Sequence, residues 1–458
     1  MTNHRYSVLL VTYEFPPTGG AGVQRLAKFA RYLPTYGWDP VVLAAEHVPG
    51  RAEDYSLADE VAGVRVVRTP ARPVNAWISA VLAFLRQIHH GSRRLGSSGG
   101  TSDSSSLRQA KVVAATGRGG RTERLTRFFT MPDFAFLWIR PAVRAGVRLG
   151  RSADVDVVFA SGPPFSVLIA GKRIAHALEV PFVADFRDAW RDNPGNSWYP
   201  TAWHRRRSHS LERDVLTAAA AVTTAHPLET EIAEMGGPVP RLIPNGFDRA
   251  DLLEWTPAGS GPLLVTFMGT FYIVNGPLPV FQALKAIREG RHGRPRDIRL
   301  RVVGSWPKYV EDLVSELGLE EAIELISYVP HKDALGLLAT SDVGLVVYAD
   351  LPTLRASTPA KLYEYLGIGL PILFVGPEEG QASDLLRNAE AGLVVSYSDV
   401  GAISAALVDL ADRKESGVLG SAARRDVIDA YDRRVQAGTL ARVFDGLVSS
   451  PTREDADG

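Results

Sequence analysis

The sequence predicts an α/β protein with two doubly wound domains, each built on a parallel sheet. Short runs rich in Val, Ile and Leu alternate with longer helical patterns, as parallel strands do when crossover helices join them. This alternation occurs in two successive series. With 458 residues and 45% hydrophobic content, the chain is long and apolar enough for two cores.

The strands of the first series are predicted at SVLLVTY, PVVLAA, VRVVRT, DVVFAS, PFVADF, AVTTA and RLIPN. Those of the second series are predicted at LLVTFMG, Ile298–Gly304, IELISYV, VGLVVY, PILFV and GLVVS. The join falls near Pro244–Asp248, where an Asn-Gly turn follows the last strand of the first series. We therefore predict an N-terminal domain at residues 1–246 and a C-terminal domain at 247–425. A helix over 426–448 is expected to cross back to the N-terminal domain, and a tail over 449–458 to be disordered.

One segment breaks the alternation of strands and helices. Residues 91–124 are rich in Gly, Ser and Arg and hold few large apolar groups, so this stretch cannot bury enough surface to offset its chain entropy. We expect a mobile basic insertion, flanked by apolar residues at Trp77–Leu85 and Phe128–Trp138. Region 77–138 would suit an anionic membrane surface. The alternative is a solvated linker between two helices that pack on the core.

Overall composition excludes several classes of protein. Lys plus Arg and Asp plus Glu both number 51, so no net charge draws the whole molecule to nucleic acid. There are no cysteines, which removes disulfides, thiolate zinc sites and thiol nucleophiles. The motif Asp154-Val155-Asp156 lies at the start of a strand, the wrong edge of the sheet for a ligand, and we expect no metal.

The glycine cluster after the first strand is a candidate anion-binding loop. Gly19, Gly20 and Gly22 lie between a strand and a helix, where backbone N–H groups can converge on a phosphate with help from the helix dipole. A dinucleotide fingerprint would need a third glycine where Arg25 stands. The alternative is a plain tight turn.

A second candidate lies at Ser357–Val375, where a helix ends at a glycine and leads into an apolar strand. The backbone amides from Thr358 to Lys361, the lysine itself and Glu364 would then lie at the carboxyl edge of the second sheet. Helix N-terminal amides and a lysine suit a diphosphate, and a carboxylate can accept two hydrogen bonds from a ribose diol. The alternative is an ordinary surface helix with Lys361 and Glu364 as a pair three residues apart.

Read in order, several motifs resemble the retaining, sugar-nucleotide-dependent glycosyltransferases of the GT-B fold, specifically family 4. They are FPPTGGAGVQRLAKFARYL, HPLETEI with RLIPNGFD, VTFMGT, and PAKLYEYLGIGLPIL. The stretches SGPPFS and VPFVADFRDAWRDNP resemble a subgroup active in bacterial surface-polysaccharide or glycolipid assembly. The resemblance implies two Rossmann-like domains that face each other across a cleft.

On the donor side, Glu364 matches the second glutamate of the family's paired motif, which in relatives holds the donor ribose. The first glutamate falls on Ala356, and the basic residue that often follows the VTFMGT strand is missing. Lys361 is our candidate for neutralising the leaving diphosphate. The remaining donor contacts implied by the resemblance involve Gly269, Thr270, Val329, Thr358, Pro359 and Ala360, together with Gly19, Gly20 and Gly22.

On the acceptor side, the DFRDAW motif places Asp185, Arg187 and Asp188 at the carboxyl end of a strand. Arg187 could hold an acceptor phosphate bidentately, and Asp188 could orient or deprotonate the acceptor hydroxyl. Asp188, Lys361 and Arg187 are thus the predicted catalytic residues. The alternative is an internal Asp-Arg ion pair that shapes the loop.

The function predicted from these features is transfer of a sugar from a nucleoside diphosphate sugar, UDP favoured, to a lipid-linked or saccharide acceptor. Retention is implied by the resemblance alone, and no cofactor or metal is expected. We expect a cytoplasmic protein, peripheral at the inner face of the membrane. The alternatives are a GT-B nucleotide-sugar epimerase or phosphorylase, or a nucleotide-sugar-binding protein of low activity. A nicotinamide-dependent dehydrogenase is disfavoured by the broken glycine fingerprint.

Overall fold

A computed structural model describes residues 5–46, 53–71, 128, 130–191, 199–272, 275–291, 293, 295–420 and 423–449. The predicted insertion at 91–124 and its flank at Trp77–Leu85 lie outside these ranges. The chain divides into two compact units, Met1–Pro244 with Gln436–Gly458, and Asn245–Val435.

The first unit is built on a seven-stranded parallel sheet of order β3-β2-β1-β4-β5-β6-β7. Its strands are β1 Tyr6–Val11, β2 Trp38–Ala45, β3 Arg65–Thr69, β4 Val157–Gly162, β5 Phe182–Phe186, β6 Ala221–Thr224 and β7 Arg241–Leu242. Its helices are α1 Ala21–Tyr32, α2 Tyr55–Asp59, α3 Ile139–Ser152, α4 Ser166–Leu178, α5 Ala202–Ala218 and α6 Glu229–Glu234. Short 3-10 helices cover Leu33–Tyr36 and Phe136–Trp138.

Helices cover both faces of this sheet. On one face, α3, α4 and α5 bury their apolar sides against alternate strand residues such as Leu9, Val158 and Ala184. On the other face, α1 packs with the C-terminal helix of the chain against residues such as Leu10 and Phe159. Burial on both faces explains why these strands are nearly continuous apolar runs.

The second unit is built on a six-stranded parallel sheet of order β10-β9-β8-β11-β12-β13. Its strands are β8 Leu263–Thr270, β9 Ile298–Ser305, β10 Ile323–Ser327, β11 Val343–Val347, β12 Ile372–Gly376 and β13 Gly392–Ser396. Its helices are α7 Leu278–Arg288, α8 Tyr309–Leu317, α9 His331–Ala339, α10 Pro352–Arg355, α11 Ala360–Ile368, α12 Gln381–Ala389, α13 Val400–Glu415 and α14 Arg425–Ile428. Short 3-10 helices cover Arg249–Asp251 and Asp429–Tyr431. The last helix, α15 Arg433–Val448, belongs to the first unit from Gln436 onward.

This second sheet is also covered on both faces. Helices α7, α8 and α13 pack on one side, and α9, α11 and α12 pack on the other. The chain reverses its winding direction between β8 and β11, as it does between β1 and β4 in the first unit. Ligands of doubly wound sheets bind outside the carboxyl ends of the strands at such reversal points.

The predicted fold class is confirmed: two doubly wound parallel sheets are present, and each predicted strand corresponds to an observed one. None of the described helices is both long enough and apolar enough to cross a bilayer.

Candidate functional site

The candidate donor site lies where β8 and β11 separate at the reversal point of the second sheet. The two strands pair only as far as Phe267 and Leu345, whereas β8 remains paired with β9 to its end. The next backbone N–H of β8, at Met268, instead donates to the hydroxyl of Tyr365 at 2.8 Å. The ring of Tyr365 fits beside β11 because residue 344 is glycine: a Cβ there would lie 2.5 Å from Cδ2 of the ring. Helix α11 is thereby fixed beside the end of β8.

Lys361, in the first turn of α11, lies at this strand end. Its Nζ atom is 3.9 Å from the centroid of the Phe267 ring, and within the described residues it has no hydrogen bond or ion pair. Burial lowers the pKa of Lys361 from 10.5 to about 7, although the nearby Glu364 opposes the shift. An anion bound here would gain a cation that the protein has left unpaired.

Two glycines make room for this lysine. Gly269 has a φ of 128°, and a Cβ on it would lie 2.9 Å from Nζ of Lys361. On the neighbouring strand, a Cβ on Gly304 would lie 2.1 Å from the carbonyl oxygen of Gly269. The hydroxyl of Thr270 is bonded to that of Ser305 at 2.9 Å. The end of β8 therefore exposes backbone next to the ammonium group, as close approach of a phosphate requires.

The amino terminus of α11 is less rich in donors than the sequence suggested. Pro359 is the N-cap and has no N–H, and Thr358 is buried. The N–H groups of Ala360 and Lys361 lack intrahelical acceptors because they belong to the first turn. Within Thr358–Lys361, these two amides remain suited to bind an anion. Pro359 cannot donate a hydrogen bond.

Glu364 pairs with a residue that the sequence analysis did not select. Its Oε1 atom lies 3.0 Å from Nε2 of His331, the first residue of α9, and Glu364 is mostly buried. The alternative interpretation, a surface pair of Lys361 and Glu364, is therefore wrong. His331 lies four residues after the end of β10 and begins the next helix, so its position at the carboxyl edge of the sheet was the signal that could have identified it.

Two further predicted positions lie at the same edge. Val329 follows the end of β10 and is half-buried, with its side chain packed against the core. At Ala356, where the resemblance expects a glutamate, the carbonyl oxygen accepts a hydrogen bond from Nε2 of Gln381 at 2.5 Å. The preceding residue, Arg355, pairs bidentately with Asp350 at 2.8 and 3.0 Å. No carboxylate therefore stands at position 356.

In the first unit, Asp185 is fully buried, and the contacts of its carboxylate are internal. Its carboxylate and the guanidinium of Arg25 form a bidentate ion pair at 2.8 and 3.2 Å, and both side chains are 0% exposed. Hydroxyls of Ser161 and Thr223 donate to the same carboxylate at 2.6 and 2.7 Å. Burial alone would raise the pKa of Asp185, but Arg25 and these hydroxyls outweigh it, so the pKa lies below its ordinary value. Asp185 is accordingly removed from the acceptor site.

Arg187 lies at the reversal point of the first sheet, where it links the loop after β4 to the start of α1. One terminal nitrogen donates to the carbonyl of Gly22 at 2.7 Å and the other to the carbonyl of Pro163, while Nε is buried and has no hydrogen-bond partner among the described residues. A Cβ on Gly22 would lie 2.4 Å from the guanidinium, so glycine is needed there for Arg187 itself. Burial lowers the pKa of Arg187, partly offset by Asp185 and Asp188. Both terminal nitrogens are engaged, so a bidentate grip on a phosphate would require these bonds to break.

The other predicted residues of the first unit keep more exposed positions. Asp188 is half-buried, and within the described part of the chain its carboxylate has no hydrogen bond. Gly20, with a φ of 122°, is the exposed N-cap of α1, and Gly19 precedes it. These positions remain available for the predicted contacts.

The apolar flank at Phe128–Trp138 is only partly exposed. Trp138 is buried, and its indole N–H donates to the hydroxyl of Thr69 at 2.7 Å. Phe134 packs edge-on against Tyr13. Residues 72–127 and 129 lie outside the described ranges. Most of the region 77–138 predicted to contact a membrane is therefore not described, and this contact stays a prediction.

A cavity of about 530 Å³ lies at the opposite edge of the second sheet. It is lined by the loop Pro257–Gly261, by residues that begin β8 and β11, and by Lys414 near the end of α13. This is the amino-terminal edge of the strands, so the cavity is separate from the candidate donor site.

Comparisons with known proteins agree with this architecture. Residues 262–413 match the family model described as "Glycosyl transferases group 1". No curated protein sequence matches the chain. Among solved structures, sucrose-phosphate synthase from Thermosynechococcus elongatus superposes with a TM-score of 0.60 and 14% identity, over 97% of this chain and 100% of that one.

Two other solved structures are similar over the same extent. TarM from S. aureus, in complex with fondaparinux, alpha-GlcNAc-glycerol and UDP, has a TM-score of 0.58 and 8% identity, over 96% of this chain and 100% of that one. A protein from Listeria monocytogenes assigned as a UDP-N-acetylglucosamine 2-epimerase has a TM-score of 0.54 and 12% identity, over 97% of this chain and 98% of that one. Identities this low establish the fold and not the activity. The chain has the GT-B fold, and within its second unit residues 262–413 are similar to the group 1 glycosyltransferase model.

Proposed function

We propose that the protein is a retaining glycosyltransferase that uses a nucleoside diphosphate sugar, with UDP the favoured nucleotide. The observation that carries this proposal is the ammonium of Lys361, which lies beside Gly269 and the first turn of α11 and has no ion-pair partner in the described part of the chain. A cation, exposed backbone and two helix-terminal amides together match the needs of a diphosphate. The group 1 domain and the GT-B neighbours support sugar transfer as the reaction.

Each donor residue would act on a different part of the nucleotide sugar. Glu364, oriented by His331, would accept hydrogen bonds from the ribose hydroxyls. Backbone groups near Val329 would contact the base. Lys361 and the amides of Ala360 and Lys361 would stabilise the negative charge that develops on the departing diphosphate, which is where preorganised donors accelerate the reaction most.

The acceptor would bind in the first unit, near Asp188. Asp188 would orient the attacking hydroxyl or take its proton, and Arg187 would keep the loop after β4 in place through its bonds to Gly22 and Pro163. Transfer on the front face of the sugar, with the diphosphate assisting, requires no carboxylate beneath the anomeric carbon. The proposed acceptor is a lipid-linked or saccharide hydroxyl of bacterial polysaccharide, glycolipid or glycosylated natural-product synthesis.

A second function is favoured by Ala356. Without the carboxylate expected there, the chain could bind a nucleotide sugar and isomerise it, or bind it with little turnover. Incubation with donor and a broad acceptor panel separates the three possibilities: transfer product supports our proposal, an isomerised donor supports an epimerase, and binding without either supports a sensor.

The first test is a thermal-shift screen against UDP, GDP, ADP and TDP sugars. A ligand at 100 times its dissociation constant should stabilise the fold by about 2.7 kcal/mol. In the transfer assay that follows, Lys361→Ala should lower turnover at least ~10-fold, equivalent to roughly 1.4 kcal/mol of transition-state stabilisation. No shift with any nucleotide, or wild-type turnover in Lys361→Ala, would contradict the proposed function.

A further inference from the structure

Helices α3, α4 and α5 form a strongly basic layer on one face of the first sheet. Together they contain ten Lys and Arg residues but only two acidic residues, although the whole chain holds 51 of each sign. Of the two acids, Glu212 is buried and Asp214 is ion-paired with Lys172 of α4. The outer surface of this layer therefore carries a large local positive charge on a protein of zero net charge.

The charge is most regular on α3. Arg140, Arg144, Arg148 and Arg151 are all exposed and follow one another at intervals of four, four and three residues, so they form one stripe along the helix. Within the described residues, none of their side chains has a hydrogen bond or an ion pair. Like charges at this spacing repel each other and weaken a helix. The repulsion within this stripe would be relieved if the arginines bound an anionic surface.

Helix α5 extends the basic surface and adds an aromatic group. Arg205, Arg206 and Arg207 are exposed, and within the described part of the chain their side chains are also unpaired. They follow Trp203, which is 63% exposed at the amino-terminal end of α5. Leu137, which is 47% exposed, precedes α3 in the same way. Helices α3 and α5 run antiparallel to the strands, so each begins at the carboxyl edge of the sheet. Both apolar side chains therefore lie at that edge.

We propose that the layer of α3, α4 and α5 docks on an anionic lipid bilayer. Arginine binds phosphate oxygens well, and basic residues near an anionic membrane are attracted to its surface potential. Tryptophan is enriched at the level of the lipid headgroups because its ring is apolar and its N–H is polar. An exposed Trp and Leu at one end of the arginine stripe favour a bilayer over nucleic acid. The carboxyl edge of the first sheet, with Asp188, would then lie near the membrane surface.

The experiment is a vesicle flotation assay with the full chain, without donor or acceptor. Vesicles of phosphatidylcholine alone are compared with vesicles that contain one third phosphatidylglycerol, at low and at physiological salt. The test variant is Arg140→Gln/Arg144→Gln/Arg148→Gln/Arg151→Gln. We expect binding only to the anionic vesicles, weakening with salt, and weaker by roughly 100-fold or more in this variant.

A matched control changes four exposed arginines of the second unit, in Arg291→Gln/Arg387→Gln/Arg413→Gln/Arg424→Gln. Each of these arginines is paired with a neighbouring acid and lies outside the basic layer. The control alters the total charge equally and should keep wild-type binding. Trp203→Ser should weaken binding most at physiological salt, where the electrostatic contribution is screened.

Three results would overturn the proposal: no binding of the wild-type protein to anionic vesicles, equal loss in the test and control variants, or tighter binding to a single-stranded nucleic acid than to the vesicles. The last result would identify nucleic acid as the partner. Circular dichroism of each variant excludes unfolding as the cause of a loss. The assay involves no sugar transfer, so its failure and that of the proposed function are distinguishable.

Discussion

The Nζ atom of Lys361 lies 3.9 Å from the centre of the Phe267 ring, on the side of the strand end where Gly269 exposes its backbone. Burial removes water from the ammonium group of Lys361, and no carboxylate is bonded to it in the described structure, so its charged form is destabilised despite the attraction of the Phe267 ring. A bound diphosphate would supply the missing partner. The charged lysine therefore lowers the stability of the folded protein, and a bound anion would restore it. Functional sites often reduce stability in this way.

Replacing this lysine should make the protein more stable. Burial lowers the pKa of Lys361 to about 7 from the 10.5 expected in the unfolded chain. Between these two values the unfolded state binds the extra proton, so wild-type stability should rise with pH through this window. Lys361→Met should therefore raise the midpoint of urea unfolding at pH 6–7, and the gain should shrink as the pH approaches 10. A variant less stable than wild type at pH 6 would contradict this assignment.

Donor affinity should fall as the pH rises above 7. A diphosphate raises the pKa of a nearby lysine, so above pH 7 binding must be accompanied by uptake of a proton at Lys361. Affinity for a nucleoside diphosphate sugar should then fall by up to about tenfold per pH unit until the pKa of the bound state is reached. Titration calorimetry in two buffers of different ionisation enthalpy measures the proton uptake directly. Lys361→Met should bind more weakly and show no uptake.

The fold was predictable from sequence because its signals are local. Parallel strands buried on both faces leave apolar runs that need no knowledge of distant residues. The position of Lys361 near Gly269 was predictable for the same reason, since both lie at the carboxyl edge of one sheet. The spacing of the arginines on α3 is visible in IRPAVRAGVRLGRS as well.

Pairings between distant residues could not be predicted. Asp185 lies two residues before Arg187, and a local pair seemed natural, yet its partner is Arg25 on α1. Glu364 lies three residues after Lys361, yet it pairs with His331 on another helix. In both cases tertiary packing decided which of several charges within reach became the partner, and sequence distance carries no information on that choice.

The pair of His331 and Glu364 should affect donor binding more than turnover. Removing the carboxylate with Glu364→Gln should weaken donor binding by roughly 10- to 100-fold, since hydrogen bonds to charged groups contribute about 1.5–3 kcal/mol. His331→Ala removes a group that orients the carboxylate and should raise KM about fivefold with kcat unchanged. His331→Gln keeps a donor for Glu364 and should restore most of the affinity. Equal KM values for wild type and His331→Ala would show that His331 does not position Glu364.

The ion pair of Arg25 and Asp185 should be the most sensitive point of the first unit. Both side chains are fully buried, and the guanidinium also donates to the carbonyls of Ile243 and Pro244 at 2.7 and 3.0 Å. Arg25→Met leaves a buried carboxylate without its cation and should cost about 3–5 kcal/mol of unfolding free energy. Asp185→Asn leaves the buried cation instead and should cost a similar amount.

The double variant Arg25→Met/Asp185→Asn separates pairing from packing. Once neither charge is present, no buried ion lacks a partner, so the double variant should lose clearly less than the sum of the single losses. Because the pKa of Asp185 lies below its ordinary value, wild-type stability from this pair should be lost only as the pH falls through that lowered pKa. Urea unfolding of the four proteins between about pH 2 and pH 7 measures both effects. Additive losses would mean that the two residues stabilise the first unit independently, and would contradict the ion pair as the source of their effect.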